Sequence, residues 1–447
     1  MKRNLLRIAL AAGAAAALTL PGAADAPRTY AIVGGRIVTA AGPVIENGTV
    51  VLRNGIVEAV GASVSVPPEA ATIDGKGLSV YPGLIDMGTS AGLSAPATEA
   101  PRNARTRMEV ERARRRMLLR AHLDAASLLK ADAPEFDRFA AAGITSVLLT
   151  PSGSGIRGRS ALVNVAAGDD PPQIGQVANE RAGMFVVKAP VALHLSYFGR
   201  EGFDAYPTSL MGAIAFVRQA FHDAAAYREE TARQGKPGAG PPPAYDPALE
   251  ALQPALAGSM PVAIEAASAV QIRRALALAR EFKLSPIVVG ALGASEVVPD
   301  LKAAGAAVIY SLDYPVRPRS LAPGADEPVR VLRERANAPK VPAALDRAGV
   351  RFAFASSGLR EPADFVKNAS KAVAAGLPAD AAVRALTIEA ARIAGVAESL
   401  GSIEKGKRAN LIVTEGDLFG AEAKVRHVFV DGRPLALRRS AGVPAAQ

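Results

Sequence analysis

The chain has 447 residues, 49% of them hydrophobic and only 5% aromatic, enough for one large domain plus a smaller one built on small aliphatic side chains. A net charge of +10 is no nucleic-acid footprint by itself, because the basic residues are scattered apart from Arg112, Arg114, Arg115, Arg116 and Arg120, which read as the solvated face of one helix. The lack of cysteine excludes disulfides, thiolate zinc sites and a lipoprotein anchor.

The N-terminus reads as a secretory signal peptide over residues 1–26. Lys2, Arg3 and Arg7 form a positive region, and residues 8–20 form an apolar run too short to cross a bilayer. Ala24-Asp25-Ala26 fits the small-residue cleavage pattern, with cleavage after Ala24 as the alternative because Pro27 follows. No later segment reaches the ~20 apolar residues of a membrane span. The expectation is a soluble protein exported to a periplasm or secreted.

Residues 27–80 carry short strands with turn punctuation. Ala31-Ile32-Val33 leads into Gly34-Gly35, and Thr49-Val50-Val51-Leu52 leads into an Asn54-Gly55 hairpin signal before Ile56-Val57-Glu58-Ala59-Val60. These strands are too few to fold alone. From residue 81 the rhythm changes. Short apolar runs (146–149, 184–187, 262–265, 287–289, 307–310 and 352–355) alternate with helical stretches such as 269–282, 298–304 and 363–375. Continuous apolar strands are covered on both faces, so the alternation predicts a parallel sheet. Its extent over ~300 residues predicts a closed (β/α)₈ TIM barrel. The open doubly wound alternative lacks its Gly-rich phosphate loop. The stretch QGKPGAGPPP (234–243) is a surface loop, and helix 379–393 closes the barrel before strands return at 410–413 and 425–430.

Several segments together resemble one family. Tyr81-Pro82-Gly83-Leu84-Ile85-Asp86 is similar to the opening barrel strand of the amidohydrolase superfamily. LGSIEKGKRAN (400–410) and VRHVFVDGRP (425–434) resemble its closing segments, and residues 261–281 resemble the fifth strand and helix of its imidazolonepropionase-like branch. The resemblance implies a composite β-sandwich built from both chain ends, residues 27–80 and 399–447, beside a barrel over 81–398.

It also implies hydrolysis of C–N bonds by a water activated on one or two divalent metals. The ligands would be an HxH pair after the first strand, histidines after the fifth and sixth, and an aspartate after the eighth. Here those positions fall at Gly88 and Ser90 (IDMGTS), Glu265 (PVAIEA), Gly290 (IVVGAL) and Ser357 (FASS), so the usual ligands are absent. The chain has four histidines. His122 and His222 read as helical, His427 belongs to the returning strands, and only His194 falls near the expected mouth. No metal and no other cofactor is expected; a single divalent ion held atypically is the alternative.

The remaining candidates at the mouth are Lys188, His194, Glu265, Asp313 and Ser357. A Glu265–Lys188 ion pair replacing the metals would satisfy a carboxylate at a buried strand end. The aromatic segment around Tyr197, Phe198, Phe203 and Tyr206, with Arg200, lines a pocket or packs on the barrel, and Pro151-Ser152-Gly153-Ser154-Gly155 is an anion loop or a plain barrel-top loop. The expected function is that of a catalytically silent relative, a pseudoenzyme. It would act as a partner or regulatory subunit of an active amidohydrolase paralogue, by self-association, or as a binder of a small molecule or peptide. The alternative is an active hydrolase of peptide or non-peptide C–N bonds with an atypical site.

Overall fold

The computed structural model describes residues 29–94, 106–130, 133–166, 186–197, 206–234, 236, 240–322 and 324–436. The expected signal peptide, Met184, Phe198, Arg200, Phe203 and the last residues of the chain lie outside them.

The strands, in chain order, are β1 (Thr29–Ile37), β2 (Ile45–Arg53), β3 (Ile56–Gly61), β4 (Ala71–Asp74), β5 (Leu78–Pro82), β6 (Leu84–Thr89), β7 (Ile144–Leu149), β8 (Gly155–Arg159), β9 (Ala161–Asn164), β10 (Val186–Lys188), β11 (Leu193–Ser196), β12 (Val262–Ala266), β13 (Pro286–Gly290), β14 (Ala307–Ser311), β15 (Phe352–Ala355), β16 (Leu411–Glu415), β17 (Lys424–Val430) and β18 (Arg433–Pro434).

Both chain ends enter one eight-stranded sheet, ordered β18-β17-β16-β5-β1-β2-β3 with β4 paired to β1. The two ends meet where β5 runs antiparallel to β16, Tyr81 opposite Ile412. The β2–β3 hairpin turns at Asn54 (φ 49°) and Gly55 (φ 83°). Two successive positive φ values match the twist of the strands, which is why this dipeptide was a legible signal. The sheet curls around its own apolar core. Tyr30 and Phe429 meet edge to face at 5.6 Å although β1 and β17 are not hydrogen-bonded neighbours.

The second half of the fold comprises two sheets, β10-β9-β7-β6 and β15-β14-β13-β12-β11-β8. β6 is parallel to β7, and β11 through β15 are parallel in chain order. The segment joining the two groups departs from the expected all-parallel pattern. β9 runs antiparallel to β7, and β8 runs antiparallel to β11. Ser160, between them, receives Val191 N–H at 2.8 Å and donates its own N–H to Ala192 at 2.9 Å. A single reversed stretch thus bridges the two sheets.

One apolar cluster takes Ile85, Met87, Leu148, Leu162, Ala263, Ile287, Ile309 and Ala353 from seven of these strands. Residues of alternate parity, such as Val262, Ile264, Val288 and Val308, join a second cluster with the flanking helices. This is the division that strands covered on both faces require. The helix Ala269–Phe282 forms as expected, opened by a Ser268–Gln271 capping box. The helix expected over 379–393 is two, Ala379–Leu386 and Ile388–Ala394. They break at Thr387, whose hydroxyl turns back to donate to Val383 O at 2.6 Å. His122 lies in a turn, not on a helix. Of the basic helix Arg107–Leu118, Arg112 and Arg116 are exposed, while Arg115 pairs with Asp223 at 3.0 Å.

Candidate functional site: a cationic cleft at the strand ends

A cleft of about 450 Å³ opens beyond the C-terminal ends of β6, β7 and β15. Hydroxyls of Thr89, Ser90, Thr150, Ser152, Ser356 and Ser357 line it, with the guanidinium groups of Arg138, Arg157 and Arg360 and the carboxylate of Glu135. Pro151 and Ser152 come from the loop read above as an anion or barrel-top loop.

The first and last strands of the parallel set are joined at this mouth. Asp86 of β6 is fully buried. Its carboxylate accepts Gly88 N–H at 3.1 Å, Ser356 N–H at 2.8 Å and the Ser356 hydroxyl at 2.5 Å. Burial pushes Asp86 up to about 6, and the bonds from Ser356 and Gly88 oppose that rise. One residue on, Ser357 Oγ donates to Gly88 O at 2.7 Å. Two positions assigned to missing ligands, Gly88 and Ser357, are therefore in direct contact.

The residues at the five ligand positions do not fit a metal. Gly88 offers no side chain, and a Cβ there would fall 2.8 Å from Ser357 Oγ and 3.3 Å from Ala355 Cβ. Gly290 ends β13 at φ +94°, a conformation strained for an imidazole-bearing residue. Ser90 is exposed on the cleft wall, and Ser357 spends its proton on Gly88. Glu265 already holds a cation: its carboxylate, half exposed, lies 3.3 Å from Nη1 of Arg157. Among the described residues, no group of three or more His, Asp or Glu side chains could hold an ion.

The expected Glu265–Lys188 pair is not formed. Lys188 Nζ instead donates to Ala394 O at 3.0 Å and Gly395 O at 3.3 Å. There it satisfies the last carbonyls of the helix Ile388–Ala394. It precedes β11, so it lies at the opposite end of the strands from Glu265.

His194 is on the inner face, in register with Ala263 of β12. It is fully buried, neither ring nitrogen has a partner among the described residues, and burial followed by the charge of Arg157 pushes it down to about 3. Asp313 is exposed at the rim, seated over Gly358, where a Cβ would come 2.4 Å from its Oδ2. Its N–H donates to Ser311 Oγ at 3.2 Å, and that hydroxyl donates to Ser357 O at 3.3 Å.

Arg157 is a cleft residue that the sequence reading did not single out. Its side chain is only 13% exposed. Burial pulls it below the ordinary arginine range, opposed by Glu265 and reinforced by Arg120. A signal existed: Gly155-Ile156-Arg157-Gly158-Arg159 puts an arginine in mid-strand with glycine beside it, leaving room for a long charged side chain. Asp86 entered the reading only as part of the opening-strand motif. Of the aromatic segment, Tyr197 is buried, and Tyr206 rests 6.5 Å from Phe216 with its hydroxyl donating to Gly212 O at 3.2 Å.

An amidohydrolase family model matches residues 316–435. Among solved structures, the chain is similar to an amidohydrolase from Thermotoga maritima MSB8, at 20% identity over 92% of this chain and 100% of that one, with a TM-score of 0.73. It is also similar to a Xaa-Pro dipeptidase with bound methionine (16% identity, 91% and 99% covered, TM-score 0.50). Phenylurea hydrolase B is a third likeness (15% identity, 92% and 97% covered, TM-score 0.51). The comparison with curated proteins gave no match. At these identities the likeness is one of fold: a mixed α/β chain of the kind amidohydrolases use.

Proposed function

We propose that the chain is an amidohydrolase-superfamily protein, of the imidazolonepropionase-like branch, that is exported and works as a binding protein without a catalytic metal. Its strands form a closed barrel of eight positions, the third one reversed, with the curled sheet of the two chain ends as its composite sandwich. The support for closure is the inner cluster drawn from seven strands together with the Asp86 clamp between β6 and β15. The support for export is the charged, apolar and small-residue pattern of residues 1–26.

The observation that carries the metal-free reading is the Ser357–Gly88 hydrogen bond. It replaces two ligand side chains with a hydroxyl and a carbonyl that satisfy each other. The ion pair of Arg157 with Glu265 puts a protein cation at a third ligand position. The barrel scaffold survives such losses because its stability lies in the core and its chemistry at the strand ends. The cleft then serves a small-molecule or peptide ligand, and the protein acts alone, with itself, or beside an active paralogue.

A second reading, an active hydrolase of C–N bonds, draws on the likeness to structures described as a dipeptidase and a phenylurea hydrolase. A panel of dipeptides, N-acyl amino acids and arylureas separates the two. The binding reading expects no turnover above buffer, with or without added zinc or manganese; zinc-dependent turnover would overturn it.

A further inference from the structure

We propose that the cleft selects a singly charged carboxylate, which docks on Arg157 by displacing the side chain of Glu265. The inference rests on the metal-free binding reading and names its ligand class. Three guanidinium groups face one carboxylate in a cleft of about 450 Å³, so its walls favour an anion. Arg138 is engaged with Glu361 at 3.5 Å, at the exposed rim. Arg157 lies deepest, 13% exposed, and among the described residues makes one hydrogen bond, the 3.3 Å contact to Glu265. Among the described residues its Nε is buried without a partner, as are both ring nitrogens of His194, which feels the charge of Arg157. The guanidinium is therefore a fixed cation with donors to spare, and a planar fork of that kind is built for bidentate carboxylate binding.

Glu265 is the internal stand-in. Its side chain is half exposed, so it can swing into solvent at small cost, while the side chain of Arg157 is largely enclosed at 13% exposure. The same residue sets the charge selectivity. With Glu135 on the wall and Glu265 beside Arg157, a dianionic phosphate meets more repulsion than a single carboxylate does. Hydroxyls of Ser90 and Ser152 remain for the polar part of the ligand.

The test is calorimetric titration of the full mature protein at low salt with acetate, benzoate and N-acetylglycine, each beside its neutral amide, and with inorganic phosphate. Wild type is expected to bind at least one carboxylate about tenfold more tightly than its amide and than phosphate. Glu265→Gln is expected to tighten that carboxylate several-fold, and Arg157→Gln or Arg360→Gln to weaken it; the exposed Arg360 serves where Arg157→Gln does not fold. No preference of any carboxylate over its amide overturns the proposal, and so does unchanged or weaker binding in Glu265→Gln. Metal content measured on the same sample keeps the two ideas apart. Retained metal contradicts the metal-free reading, whereas absent selectivity in metal-free protein contradicts only this one.

Discussion

Ser357 Oγ and Gly88 O lie 2.7 Å apart, joining the ends of β15 and β6. The contact leaves no space for a side chain at position 88. Gly88→Ala would bring its Cβ to 2.8 Å from Ser357 Oγ and force that hydroxyl to rotate. Denaturant unfolding should show a loss of about 1–2 kcal/mol for Gly88→Ala and about 1 kcal/mol for Ser357→Ala. The double variant should lose less than the sum, since the clash and the bond involve one atom. Simple additivity would mean the two residues do not touch in solution.

Asp86 gives the strand-end clamp a pH dependence. Burial raises it from 3.8 to about 6 in the folded chain, so the folded state holds a proton that the unfolded state releases. Its contribution is therefore present below pH 3.8 and is lost as pH rises through 6, at roughly 1 kcal/mol per pH unit. Asp86→Asn keeps the acceptor for both backbone N–H groups and carries no charge. Its stability should lack this component, and a variant that still loses stability between pH 4 and 6 in the wild-type manner would contradict the assignment.

His194 acts with the opposite sign. Its ordinary value of 6.5 is lowered to about 3, so its contribution is present above pH 6.5 and is lost as pH falls toward 3. The two groups oppose each other between pH 4 and 6. Stability should fall with acid more steeply in Asp86→Asn than in wild type, and more gently in His194→Leu. His194→Leu should also be more stable at neutral pH by about 1 kcal/mol, because it removes two buried nitrogens that have no partner. Destabilisation instead would mean that the ring is hydrogen-bonded in solution.

Lys188 should prove to be a stability residue. Its ammonium meets the carbonyls of Ala394 and Gly395 at a helix C-terminus, where a cation contributes about 0.3–1 kcal/mol. Lys188→Met should lower the melting temperature slightly and leave carboxylate binding in the cleft unchanged. A loss of binding without a loss of stability would put Lys188 back at the mouth.

Much of the fold was legible because its signals are local. Asn54-Gly55 announces a turn with two positive φ values, and the capped helix Ala269–Phe282 lies where its apolar period put it. Gly88 and Ser357 were singled out separately as positions lacking a ligand, and their direct contact emerges only from the structure. What failed was non-local. The reversal of β8 and β9 depends on pairing partners that an apolar run does not encode. Lys188 follows an apolar run just as a mouth residue would, and only its pairing opposite Leu162 and its bonds to Ala394 and Gly395 show that it sits at the other end. Arg157 was hidden because a charge inside a strand reads as a strand edge, until Glu265 is found beside it.

The most direct test of the central claim is elemental analysis of the purified protein after incubation with zinc and with manganese and removal of free ion. The account predicts that no stoichiometric metal is retained, because the strand ends hold hydroxyls, glycines and an Arg157–Glu265 pair where ligands would be. A tightly held equivalent of either metal would contradict it.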